Sequence, residues 1–132
     1  MGPALNLLLD TSTLLWVTTS TERVSRRARA AVDAPGNELW VSSASAWEVT
    51  TKYRLGRLGF AAALAEDWDG ELDRYQLRRL DITHDHALRA GRYEVTHADP
   101  FDRMIAAQAE LEAMTVVSSD RAFDLFPVRR LW

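Results

Sequence analysis

The chain has 132 residues, 47% hydrophobic and 27% charged, which suits one soluble globular domain with a real core. It holds no cysteine, which excludes disulfides, a thiolate metal centre and a cysteine nucleophile. The net charge of −3 excludes an all-over basic surface, and the longest apolar candidate, Leu5 to Val17, is interrupted by Asn6 and Asp10 and falls short of a membrane span.

Asn6 to Leu9 reads as a strand buried on both faces. Asp10-Thr11-Ser12-Thr13 then supplies N-cap chemistry for a helix carrying Leu14 to Val17. A second helix is expected over Ser25 to Val32, ended by Ala34-Pro35-Gly36-Asn37. Glu38 to Val41 reads as the second strand. Ser42-Ser43 caps a helix from Ala44 to Leu55 that stops at Gly56. Phe60 to Tyr75 is expected as one longer helix, weakened by its acidic centre. Leu77 to Ile82 is the third strand, with Leu80 and Ile82 inward. Thr83 caps a short helix from His84 to Arg92. Asp99 and Pro100 open a helix to Ala113, with Pro at its first position. Thr115 to Ser118 is the fourth strand, followed by a short helix near Arg121 to Leu125 and an edge strand within Pro127 to Trp132. Strands alternating with helices predict an α/β fold with a mainly parallel central sheet covered on both faces.

Four acids, Asp10, Glu48, Asp102 and Asp120, each follow one of these short apolar runs. An open α/β sheet gathers its ligands at the carboxyl ends of its strands, so the four are expected to meet. Like charges crowded there call for a divalent cation. Each acid also has an ordinary role open to it. Asp10, Asp99 and Asp120 suit N-caps, Asp102 suits the N3 position of a capping box, and Glu48 can pair with Lys52 four residues on. Ser12, Ser43 and Ser118 place small hydroxyls beside these carboxylates and are supporting candidates.

Removing four site carboxylates from the net charge of −3 leaves +1. The positive residues cluster as Arg23, Arg26, Arg27 and Arg29, as Lys52, Arg54 and Arg57, and as Arg74, Arg78 and Arg79. They can line a nucleic-acid groove or form solvated helix faces. His84 and His86 lie two apart, the wrong spacing for a zinc clamp on one helix face. His97 is expected to be an idle loop residue. The five tryptophans are expected in core packing or a dimer contact rather than stacked on bases.

The segments Leu8-Leu9-Asp10-Thr11-Ser12-Thr13-Leu14-Leu15-Trp16, Ser42-Ser43-Ala44-Ser45-Ala46-Trp47-Glu48-Val49, Asp99-Pro100-Phe101-Asp102-Arg103-Met104-Ile105-Ala106-Ala107-Gln108-Ala109 and Val116-Val117-Ser118-Ser119-Asp120 resemble the PIN-domain family. Within it they look most like the VapC-type toxins of toxin–antitoxin pairs, over essentially the whole chain. The resemblance implies one PIN domain over residues 1–132, a three-layer α/β/α fold and a Mg2+- or Mn2+-dependent endoribonuclease. It also implies an RNA substrate, a cognate antitoxin and a homodimer, for which Trp47, Tyr53, Leu55 and Phe60 offer apolar contacts. Asp10, Glu48, Asp102 and Asp120 match the family's four acidic positions, with Asp99 a second candidate beside Asp102. Products with 5′-phosphate and 3′-hydroxyl ends are expected, and no leader-like amino terminus points to the cytoplasm. An inactive PIN-like interaction module is the alternative. A haloacid-dehalogenase-type site would want an acid where Ser12 stands, and a receiver-type domain a late lysine, whereas the single lysine is Lys52.

Overall fold

The computed structural model describes residues 3–132. Five strands pair side by side: β1 (Asn6–Leu9), β2 (Glu38–Ser42), β3 (Leu77–Leu80), β4 (Thr115–Val117) and β5 (Arg130–Leu131). They form one sheet in the order β3-β2-β1-β4-β5, and every pairing among them is parallel. The central strand β1 is flanked by β2 and β4, with Leu8 in register with both Trp40 and Val116.

Helices cover both faces. The period-two alternation of strand side chains divides the core. Leu7, Leu9, Leu39, Val41, Leu77 and Val117 pack with residues of α1 (Thr11–Thr19), α2 (Arg26–Asp33), α3 (Ser43–Arg54), α4 (Ala62–Glu66) and α5 (Trp68–Arg74). Leu8 and Val116 face the other way, onto Ala90 of α6 (His84–Arg92) and Ile105, Ala106 and Ala109 of α7 (Pro100–Leu111), with Phe123 and Phe126 closing that layer. The result is the three-layer α/β/α architecture expected from the sequence.

The local signals explain most boundaries. Side chains of Asp10, Ser25, Ser42, Thr83 and Asp99 each accept a hydrogen bond from the first turn of the helix that follows. Gly56 has φ +78 just beyond α3, a left-handed conformation that favours glycine and stops the helix there.

Two expectations need correction. Phe60 to Tyr75 is not one helix: a 3-10 turn at Gly59–Ala61 leads into α4, and α5 starts afresh. The break falls at Asp67, whose carboxylate takes the Gly70 N–H and caps α5 instead of continuing α4. The third strand stops at Leu80, so Ile82 lies outside it and is 38% exposed, while Leu77 is the fully inward residue. The short helix expected near Arg121 to Leu125 is present over those residues, wound as a 3-10 helix.

Four of the five tryptophans, Trp16, Trp40, Trp68 and Trp132, are half-buried and pack against the core, as expected. Trp16 and Trp132 pack on each other at the core's edge, 5.9 Å between ring centroids. Trp47 is 65% exposed.

Candidate functional site: an acidic cleft at the strand ends

The winding of the sheet reverses beside β1: the chain runs outward through β2 and β3, then crosses to the far side of β1 for β4 and β5. Such a switch point leaves a crevice beyond the carboxyl ends of the two diverging strands. Asp10 follows β1 directly, and Ser118, Ser119 and Asp120 follow β4. Glu48 arrives from α3 and Asp99 and Asp102 from the first turn of α7; α3 and α7 meet through an edge-to-face contact of Trp47 with Phe101, 5.2 Å between centroids.

These elements enclose a cleft of about 220 Å³ lined by Asp10, Thr11, Ser12, Glu48, Lys52, Asp99, Asp102, Ser119 and Asp120. Roomier hollows of about 400 Å³ beside Val24 and Tyr75, and about 540 Å³ beside Leu88 and Glu112, are lined by no more than two acids each. Convergent chemistry, rather than volume, singles out the smaller cleft.

Asp10 is the deepest acid, 5% exposed. Its Oδ1 caps α1 through the Thr13 N–H at 2.8 Å, and its Oδ2 accepts the Ser118 hydroxyl at 2.6 Å. Thr13 in turn donates its hydroxyl to the Val117 carbonyl, tying helix to strand. Burial pushes the Asp10 carboxyl up from its ordinary pKa, the hydrogen bonds from Ser118 and Thr13 pull it down, and the charge of Asp120 pushes it up further.

Asp102 is pushed up to about 6, chiefly by burial. A hydrogen bond with His97 opposes that rise, while the charges of Asp99 and Asp10 add to it. Glu48 is buried and bonds Lys52 Nζ at 2.5 Å, the i,i+4 pair foreseen as its ordinary role. Asp120 is exposed and caps the following 3-10 turn through the Ala122 N–H, while its own N–H donates to Ser118 Oγ. Asp99 is exposed and caps α7 through the N–H groups of Phe101 and Asp102. The capping roles and the convergence are one arrangement, because a helix that starts at a strand's carboxyl end must put its cap in the crevice.

Among the supporting serines, Ser12 lines the cleft and Ser118 holds Asp10. Ser43 stands apart: its hydroxyl points to the Leu80 carbonyl and Asp81. Ser45, which sequence reasoning passed over, is fully buried and bonds the Thr11 hydroxyl at 2.9 Å. It precedes Glu48 by three, so the helical period places both on one face. His97 is not idle, since its Nε2 lies 2.9 Å from Asp102 Oδ2. His86 is structural: its Nδ1 accepts the Thr83 N–H, completing a capping box, and its Nε2 meets Glu112.

The arginine clusters are partly spoken for. Arg79 binds Asp69 and Asp73, Arg78 pairs with Glu38 and lies over the Trp40 ring, and Arg74 reaches Glu71.

The donor set suits a hard divalent ion such as Mg2+ or Mn2+, which takes carboxylate, hydroxyl and water oxygens. Two partly or fully buried carboxylates with raised pKa values, and one lysine already paired to Glu48, leave the cleft short of positive charge. The residues present therefore fit a cation.

Comparison with known proteins bears on the family and the fold. The PIN domain family model matches residues 7–128. No curated protein matches significantly. Among solved structures, VapBC2 from Rickettsia felis, bound to a DNA fragment from the promoter, superposes with a TM-score of 0.68 at 18% identity over 96% of this chain and 97% of that one. VapBC from Salmonella typhimurium, also DNA-bound, gives 0.66 at 22% identity over 96% of each chain. The Mycobacterium tuberculosis toxin VapC20, described as cleaving the sarcin-ricin loop, gives 0.62 at 17% identity over 89% and 92%. At these identities the likeness is one of fold.

Proposed function

The chain belongs to the PIN domain family, and from that premise we propose that it is a divalent-metal-dependent endoribonuclease, the toxin of a toxin–antitoxin pair, with residues 1–132 forming one PIN domain. The observation that carries this reading is the meeting of Asp10, Glu48, Asp102 and Asp120, delivered by four separate segments, around one cleft at the sheet's switch point.

Mg2+ or Mn2+ held by Asp10, Asp102 and Asp120 would supply positive charge toward a phosphate and lower the pKa of water. The chain's own groups set the geometry. Asp10 offers the most rigid oxygens, one fixed by Ser118 and one by the Thr13 N–H. Asp102 and Asp120 face it from α7 and from the end of β4, with Asp99 beside them. Glu48 completes the acidic wall and holds Lys52, the cleft's own ammonium, where it can meet a substrate phosphate. Ser12 lines the mouth and presents a hydroxyl to water or phosphate. With water as nucleophile, the ribose 2′-hydroxyl takes no part, and products carry 5′-phosphate and 3′-hydroxyl ends.

The partners follow from the surface. Trp47, Leu55 and Phe60 are large exposed apolar side chains on and just after α3, and we assign this face to a homodimer contact that lengthens the RNA groove. Tyr53 is less available, being bonded to Glu66. The antitoxin lays an apolar helix nearby and directs a basic side chain into the acids. No helix among the described residues is long and apolar enough to cross a membrane, and a cytoplasmic site of action is part of the proposal.

The test uses purified chain, RNA and chelator. Cleavage should vanish on chelation, return with Mg2+ or Mn2+, and leave 5′-phosphate ends. Cyclic 2′,3′-phosphate products would overturn the chemistry, and RNA left intact at every metal concentration would favour an inactive interaction module.

A further inference from the structure

Beside the acids of the cleft stands a nitrogen able to ligate a metal. His97, between α6 and α7, sets Nε2 2.9 Å from Asp102 Oδ2, and one donor atom each of His97, Asp102 and Asp120 lie within 4.8 Å of one another. The loop that carries it is held firmly. The Arg103 guanidinium donates to the carbonyls of Ala90, Tyr93, Val95 and His97 at 2.6 to 3.1 Å. The imidazole itself stands edge-on to Phe126, 6.2 Å between centroids at 83°. Backbone and ring are thus both fixed with Nε2 turned to the acids.

We propose that His97 Nε2 is a nitrogen ligand of the divalent cation, beside Asp102 and Asp120, and that it tilts the site toward Mn2+ over Mg2+. This rests on the nuclease reading only in requiring a cation in the cleft. Two donors at right angles on an octahedral ion, with bonds of about 2.1 Å, stand about 3 Å apart. The His97 to Asp102 separation matches that spacing, so an ion can bridge the two atoms without drawing them closer or pushing them apart. The imidazole then carries its proton on Nδ1 and offers the Nε2 lone pair. Mg2+ favours oxygen ligands, whereas imidazole suits the transition metals. A His97 that merely steadied Asp102 would weaken both ions alike.

The experiment is pulsed electron paramagnetic resonance of Mn2+ on the full chain, with Mn2+/Mg2+ competition in wild type and His97→Gln. Wild type should show nitrogen-14 coupling from a directly bound imidazole, and His97→Gln should lack it. Mn2+ affinity should fall about tenfold or more in the variant, with Mg2+ affinity falling several times less. Bound Mn2+ without nitrogen coupling in the unaltered chain, or equal losses for both ions, removes His97 from the ligand set while leaving the acidic site intact. Wild type that binds no Mn2+ overturns this inference and the nuclease reading together.

Discussion

Ser118 donates its hydroxyl to Oδ2 of Asp10 at 2.6 Å, joining residues 108 positions apart. The same hydroxyl oxygen accepts the Asp120 N–H, so one small side chain links the deepest acid of the cleft to an exposed one. The cost of the arrangement is electrostatic, because burial makes the Asp10 charge unfavourable in the metal-free chain.

Asp10→Asn should therefore separate stability from activity. The amide can still accept the Thr13 N–H and donate to Ser118. The metal-free variant should gain about 0.5–2 kcal/mol in urea unfolding, while RNA cleavage and Mn2+ binding are lost. Ser118→Ala should instead lose roughly 1.5–3 kcal/mol, the range for a hydrogen bond to a charged group, with metal affinity down about tenfold or more. Full metal-dependent cleavage by pure Asp10→Asn protein would remove Asp10 from the mechanism.

The raised pKa of Asp102 makes a pH prediction for the metal-free protein. A carboxyl at 3.8 when unfolded and about 6 when folded binds its proton more tightly in the native state. Its contribution is fully present below pH 3.8 and is lost as pH rises through about 6. At full value the difference is roughly 3 kcal/mol. Wild type should lose stability relative to Asp102→Asn between pH 4 and 7 in paired denaturant titrations. Parallel curves would show that Asp102 titrates normally.

What the sequence disclosed, and what it hid, follows the range of each interaction. Strand β1 and its cap Asp10 are adjacent, so a buried run followed by a capping residue was readable, and the same holds for Asp99 before Pro100. The division of residues 60–75 was not, because Asp67 continues the acidic run and only its bond to the Gly70 N–H reveals a cap. In β3, Leu80 packs against the core layer of α6 and α7 as expected, but the strand ends there and leaves Ile82 outside it, an end that no turn residue marks. His97 escaped because its position depends on Arg103 gathering carbonyls from a loop with no periodic pattern. The Ser45 to Glu48 spacing was legible by helical period and passed unused.

Arg103 gives a prediction confined to that loop. Arg103→Met keeps much of the apolar stem but leaves the carbonyls of Ala90, Tyr93, Val95 and His97 without their shared donor. The variant should lose about 2–4 kcal/mol, with hydrogen exchange accelerating across residues 93–99 before the strands β1 and β4. Uniform acceleration over the whole sheet would show that the guanidinium supports the core rather than the loop.

Lys52 and Glu48 form the cleft's internal ion pair, and Lys52 lines the same space as Asp10 and Asp102. An ammonium there competes with a cation for Glu48 and repels it at short range. Lys52→Met should therefore tighten Mn2+ binding several-fold at low ionic strength, an effect that fades as salt screens the half-exposed ammonium in wild type. Cleavage should move the opposite way, with a higher RNA KM, since the cleft loses its one ammonium for phosphate. Weaker Mn2+ binding in Lys52→Met would show instead that the lysine acts by holding Glu48 in place. Lys52→Arg would then distinguish the two roles, because a planar guanidinium can keep Glu48 engaged while occupying the cleft differently.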